Sequence, residues 1–196
     1  MITGTAKRAL GDDSHCGDQY GYWQKEKRTT LCIVDGLGHG KHAETAAKAA
    51  IDYVAGHLSE SLYDIFAGCN REIRDTRGVA MGIAVIDENK ELLTYSGVGN
   101  TRIIIVKNGR TDVEKKTLRL VSSYGIVGGG YKRLSSESVP FMPGDQVIMF
   151  TDGVVEMIDL SGYGDGLRSD ATQFAEKIIQ DWGRDTDDAA VLIYRL

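Results

Sequence analysis

The chain has 196 residues, 42% apolar and 26% charged, with a net charge of -5, which suits one domain over residues 1–196 with length for a substantial core. The acidic balance argues against a nucleic-acid binder, which carries a basic face, and no run approaches the ~20 apolar residues of a membrane span. Three cysteines without CxxC spacing indicate neither a disulfide framework nor a zinc knuckle, and residues 1–8 offer no signal peptide, so a cytoplasmic protein is expected.

In chain order, strands are expected at 2–8, 19–24 and 29–34. The clearest helix follows, with Ala43, Ala46, Ala47, Ala50, Ile51, Val54 and Leu58 recurring on one face. Ser59, Glu60, Ser61 and Leu62 read as a cap leading into a second helix, whose apolar side carries Leu62, Ile65, Phe66, Cys69 and Ile73. Strands then follow at 79–86, 91–96, 102–106 and 118–121, separated by the turns Asp87-Glu88-Asn89-Lys90 and Lys107-Asn108-Gly109-Arg110. Gly128-Gly129-Gly130 marks a turn before an extended stretch at 131–139, and Pro143-Gly144-Asp145 launches a strand at 147–151. A helix at 170–182 precedes the last strand at 189–194. Consecutive strands with helices grouped in two places predict an α+β layered sandwich rather than alternating βαβ units.

Four acidic turns punctuate this order: Gly17-Asp18, Asp35-Gly36, Asp152-Gly153 and Asp187-Asp188. Three of them border β-type apolar runs, so their carboxylates stand at strand ends and can converge. Crowded carboxylates repel and raise one another's pKa, and a bound cation relieves both effects. Oxygen-only donors favour Mg²⁺ or Mn²⁺ over zinc or copper.

Other signals are weaker. Gly36-Leu37-Gly38-His39-Gly40-Lys41 misses the spacing of both a Walker A loop and a dinucleotide fingerprint, and a tight strand-to-helix connection is its simplest alternative. The four histidines, His15, His39, His42 and His57, lack a metal-ligand spacing. His57 suits a helix C-terminus. His39 lies within the turn that carries Asp35 and is either a general acid for a leaving oxygen or a solvent-facing loop residue. Cys32 and Cys69 read as small buried apolar residues. Lys115-Lys116 and Lys132-Arg133 read as solvated surface, and no GxSxG elbow is present.

In order and spacing, Cys16-Gly17-Asp18, Val34-Asp35-Gly36-Leu37-Gly38-His39-Gly40, Phe150-Thr151-Asp152-Gly153-Val154 and Asp187-Asp188-Ala189-Ala190-Val191-Leu192 resemble the metal-dependent serine/threonine phosphatases of the type 2C superfamily. Within it the chain is similar to the short bacterial branch of SpoIIE, RsbU and RsbX phosphatases, and as a small domain without a sensor module to the RsbX type. The resemblance implies two stacked antiparallel sheets flanked by helices, and two Mn²⁺ or Mg²⁺ ions. It implies that Asp35 bridges the ions, with the Gly36 carbonyl on one of them, that Asp152 and Asp187 complete the other site, and that Asp18 acts directly or through water. Two such cations activate a water for in-line attack on phosphorus, and His39 protonates the departing serine or threonine oxygen. The implied substrate is a phosphorylated protein, a STAS-domain component of a bacterial stressosome, hydrolysed by a monomer.

Departures from the larger members matter equally. They carry a phosphate-gripping arginine shortly before the first acidic motif, where this chain has Asp13, so the substrate phosphate is left to metals, backbone groups or another basic residue, Arg8 being a weak candidate. The chain is also too short for their flap subdomain, and an open site suits a folded protein substrate. Two rivals share the fold: a catalytically silent binding module, and a hydrolase of small phosphoesters.

Overall fold

The computed structural model of the chain describes residues 2–11, 13–108, 117–164, 167 and 169–196. Two five-stranded antiparallel sheets organise it. The first has the order β1 (Ile2–Arg8), β12 (Ala189–Arg195), β11 (Gln146–Phe150), β6 (Arg102–Val106), β7 (Thr117–Leu120). The second runs β10 (Ser136–Pro140), β5 (Leu92–Val98), β4 (Val79–Asp87), β3 (Arg28–Gly36), β2 (Asp18–Lys25). A small hairpin joins β8 (Gly125–Ile126) to β9 (Gly130–Tyr131). Helices α1 (Lys41–Gly56) and α2 (Leu62–Glu72) cover the second sheet, and α3 (Ala171–Trp182) covers the first.

Alternation along the strands explains the layering, because successive side chains point to opposite faces. On β3, Leu31 and Ile33 face the other sheet and pack with Val147 and Met149 of β11 and Leu192 of β12. Cys32 and Val34, between them in sequence, face outward onto Ala46, Ala47 and Ala50 of α1. The first sheet behaves alike: Ile148, Phe150, Val191 and Ile193 turn outward to meet Phe174, Ala175 and Ile178 of α3. Both faces of each sheet are therefore apolar, and three cores stack as helix, sheet, sheet, helix. The small face of α1 is what allows its close approach to β3.

Helix starts are capped by side chains. Ser61 accepts a hydrogen bond from the Asp64 N–H, and Asp170 accepts from Thr172 and Gln173, satisfying donors that a first turn leaves open. His57 ends α1 by stacking on Tyr53 at 3.9 Å and bonding the Tyr53 carbonyl at 2.7 Å.

The expected α+β sandwich of two antiparallel sheets is the observed fold. One expected strand is not continuous: 131–139 divides into β9 and β10, because residue 131 pairs back with Gly125 while β10 moves away to pair with β5. The pair Lys115-Lys116 and part of the turn at 107–110 lie outside the described residues. Among the described residues no helix is long and apolar enough to cross a membrane.

Candidate active site

Antiparallel pairing brings the acidic turns to one end of the two sheets. Asp18 opens β2 and Asp35 is the last residue but one of β3, and the register sets them directly opposite one another. Asp152 follows β11 and Asp187 precedes β12, and these two strands also run antiparallel. Two glycines permit the crowding by close approach rather than by turn geometry. A Cβ on Gly36 would stand 2.2 Å from the Ala43 carbonyl oxygen, and one on Gly153 would stand 1.7 Å from the Asp188 carbonyl oxygen.

The charge state records this crowding. Asp35 is raised to about 9, first by desolvation and then by Asp18, Asp152 and Asp187. Asp18 is raised to about 8, again chiefly by burial, with a Thr151 hydroxyl hydrogen bond working in the other direction. Asp187 is also raised, by desolvation and by Asp152. Asp18 is only 2% exposed, and its Oδ2 is buried without a hydrogen-bond partner. A buried carboxylate oxygen without a partner costs free energy unless something positive reaches it.

Asp188 does different work. Its Oδ1 accepts from the Leu10 N–H and its Oδ2 from the Gly17 N–H, each at 2.7 Å. Both oxygens are thereby spent on backbone, and they tie the segment between β1 and β2 to the start of β12. Its neighbour Asp187 lines the cleft instead.

That cleft has a volume of about 870 Å³, and Asp35, His39, Arg77, Asn100, Asp152 and Asp187 are among its lining residues. His39 is exposed at the loop between β3 and α1. His15 is held away by Glu44 of α1 at 2.8 Å. Arg8 also belongs elsewhere, with its guanidinium bonded to the Arg184 carbonyl and 3.6 Å from Asp185. Cys16, Cys32 and Cys69 are all buried and free, and burial pushes the Cys16 and Cys69 thiols up to about 12 and Cys32 well up, so none is a ready nucleophile.

One functional residue escaped the sequence reading. Asn100, in the crossing from β5 to β6, donates from Nδ2 to Asp152 Oδ2 at 2.6 Å and fixes that carboxylate in the cleft. Arg102 braces the crossing, donating to the Asn100 carbonyl at 2.6 Å while its Nε lies 3.2 Å from Glu156. The only hint in the sequence is Gly99-Asn100 between two strands, a pair that suits any turn.

Among the described residues no three His, Cys, Asp or Glu side chains form a ready-made metal cage. The fit to a cation therefore rests on the donor chemistry, on the mutually raised carboxylates and on the unpartnered oxygen of Asp18. Hard oxygen donors of this kind suit Mg²⁺ or Mn²⁺.

Comparison with known proteins identifies the family. The family model for stage II sporulation protein E, SpoIIE, matches residues 25–196, a span that includes Asp35, Asp152 and Asp187 and begins after Asp18. The phosphoserine phosphatase RsbX of Bacillus subtilis (strain 168) is 26% identical over 141 residues, 72% of this chain and 68% of the relative. A solved structure described under the bacterial stressosome, as a modular system adapted to control secondary messenger signalling, has a TM-score of 0.87 and 27% identity, covering 99% of this chain and 98% of the other. RsbX in complex with magnesium has a TM-score of 0.81 at 22% identity, covering 97% of this chain and 92% of the other. The chain belongs to the SpoIIE family, in the bacterial branch of the type 2C protein serine/threonine phosphatases.

Proposed function

We propose that the chain is a divalent-metal-dependent phosphatase that hydrolyses phosphoserine or phosphothreonine on a bacterial signalling protein, a STAS-domain component of a stressosome. The observation that carries this is the convergence of Asp18, Asp35, Asp152 and Asp187 at one end of the sheets, beside an open cleft. The name of the RsbX relative supports the substrate class, and its solved complex with magnesium supports the cation.

Asp35, Asp152 and Asp187 with the Gly36 carbonyl would hold Mg²⁺ or Mn²⁺, and Asp18 stands behind them. When bound, a pair of such ions lowers the pKa of water and neutralises the phosphate dianion. The remaining tasks fall to side chains of the chain itself. Asn100 orients the Asp152 carboxylate through its 2.6 Å hydrogen bond. The Thr151 hydroxyl, which accepts from the Ala190 N–H at 2.9 Å, works against the raised pKa of Asp18 and favours its charged form. His39, exposed on the cleft wall, would give a proton to the departing serine or threonine oxygen. The breadth of the cleft suits a phosphorylated loop presented by a folded protein.

The test is orthophosphate release from a phosphoserine STAS domain with Mn²⁺, compared with a chelator and with Asp35→Ala and Asp152→Ala. Turnover that needs the ion and falls at least ~100-fold in both variants is expected. Turnover indifferent to chelator and to both variants would sink the proposal. Higher catalytic efficiency on a small aryl phosphate than on the phosphoprotein would instead favour a small-phosphoester hydrolase.

A further inference from the structure

A cleft walled by Asp35, Asp152 and Asp187 repels an anion, and even with its charge balanced it needs donors to orient a phosphoryl group. Arg77 and Arg102 are the arginines that line it. Arg102 is committed elsewhere, to the Asn100 carbonyl at 2.6 Å and to Glu156 at 3.2 Å. Arg77 is exposed, and among the described residues its guanidinium has no hydrogen bond and no ion pair.

We propose that Arg77 is the residue that grips the phosphoryl group of the substrate, from the wall formed by the glycine loop between β3 and α1; this rests on the phosphatase activity proposed above and supplies its missing substrate contact.

Two observations and one chemical argument support the assignment. First, the backbone on either side of Arg77 is fixed. The Gly78 carbonyl accepts from the Leu37 N–H at 3.1 Å, the Thr76 hydroxyl accepts from the Gly78 N–H at 3.0 Å, and Val79 exchanges two 2.9 Å hydrogen bonds with Val127. The anchor for a long side chain is thus rigid although its head is free.

Second, the glycine loop leaves room for the guanidinium. A Cβ built on Gly38 would lie 2.8 Å from Arg77 Nη1, and Gly38 has φ +83°, a backbone conformation that favours glycine. Arg77 therefore lies against the loop that carries both Asp35 and His39. Third, guanidinium is the side chain whose planar fork binds two phosphoryl oxygens at once, which a solvated lysine does not do. An arginine kept only for solubility would need neither the fixed backbone nor the clearance above Gly38.

The experiment measures KM and kcat for an aryl phosphate, the inhibition constant of orthophosphate, and calorimetric binding of orthophosphate to the Mn²⁺-loaded protein. Wild type, Arg77→Ala and Arg77→Lys are compared. For Arg77→Ala, KM, the inhibition constant and the dissociation constant are each expected to rise about 10- to 100-fold, and kcat to fall by less. The calorimetric isotherm for Mn²⁺ itself should be unchanged, and Arg77→Lys should recover part of the loss. Orthophosphate affinity and KM within about twofold of wild type in Arg77→Ala would overturn the proposal. Orthophosphate binding is read without turnover. A wild type that binds phosphate through Arg77 yet hydrolyses nothing would therefore contradict the phosphatase activity and uphold the contact.

Discussion

Adjacent residues in this chain divide structural and chemical work, and Asp187 and Asp188 show it most clearly. Asp188→Ala removes the acceptor for two backbone N–H groups, those of Leu10 and Gly17. Leaving both unmet is expected to cost about 3 kcal/mol or more, measured by denaturant unfolding. Asp187→Ala removes the acceptor of a single N–H, that of Asp188 at 2.9 Å, so it should cost less, about 1 kcal/mol, and weaken divalent-ion binding as well. Asp18 and Asp35 couple stability to pH. In the folded protein they hold their protons up to about 8 and about 9, whereas in the unfolded chain they release them near 4. The metal-free folded state thus binds more protons across that window, and their contribution to stability is lost as pH rises through it. Thermal melting of chelator-treated protein should fall from about pH 6 to about pH 9, and Asp18→Asn should flatten the fall and raise the midpoint. A midpoint that climbs with pH in the absence of metal would contradict this.

At the level of elements, apolar alternation was legible because each sheet is buried on both faces and each helix presents an alanine-rich or aliphatic side. Three acidic turns were legible because a carboxylate bordering a β run is fixed at a sheet edge, where its charge calls for a cation, and Asp18 because it completes their order. Asn100 was not legible, because the hydrogen bond to Asp152 depends on a crossing between sheets that sequence spacing does not encode. Arg77 was hidden for the same reason, since it meets the glycine loop only through the pairing of residues 78 and 37. The role of Asp188 needed the fold as well: its partners Leu10 and Gly17 are distant in sequence. Caps, by contrast, are local. Asp170→Ala, which removes the acceptor for two N–H groups of α3, is expected to cost about 1 kcal/mol on denaturant unfolding and to leave turnover intact, because α3 packs on the sheet face away from the cleft.

Taken as a whole molecule, two sheets back to back act as a clamp that forces carboxylates together at one end. Their packing holds Asp18 dry and raises Asp35 to about 9, so a cation bound there would displace protons and link folding to metal binding through the same side chains. Calorimetric titration of the metal-free protein with Mn²⁺ near pH 7.5, repeated in buffers of different ionisation enthalpy, tests that linkage directly. Saturable binding with net proton release is expected, with affinity lost in Asp35→Asn and in Asp152→Asn and retained in Asp170→Ala. Binding without proton release, or affinity untouched by the two cleft variants, would contradict it.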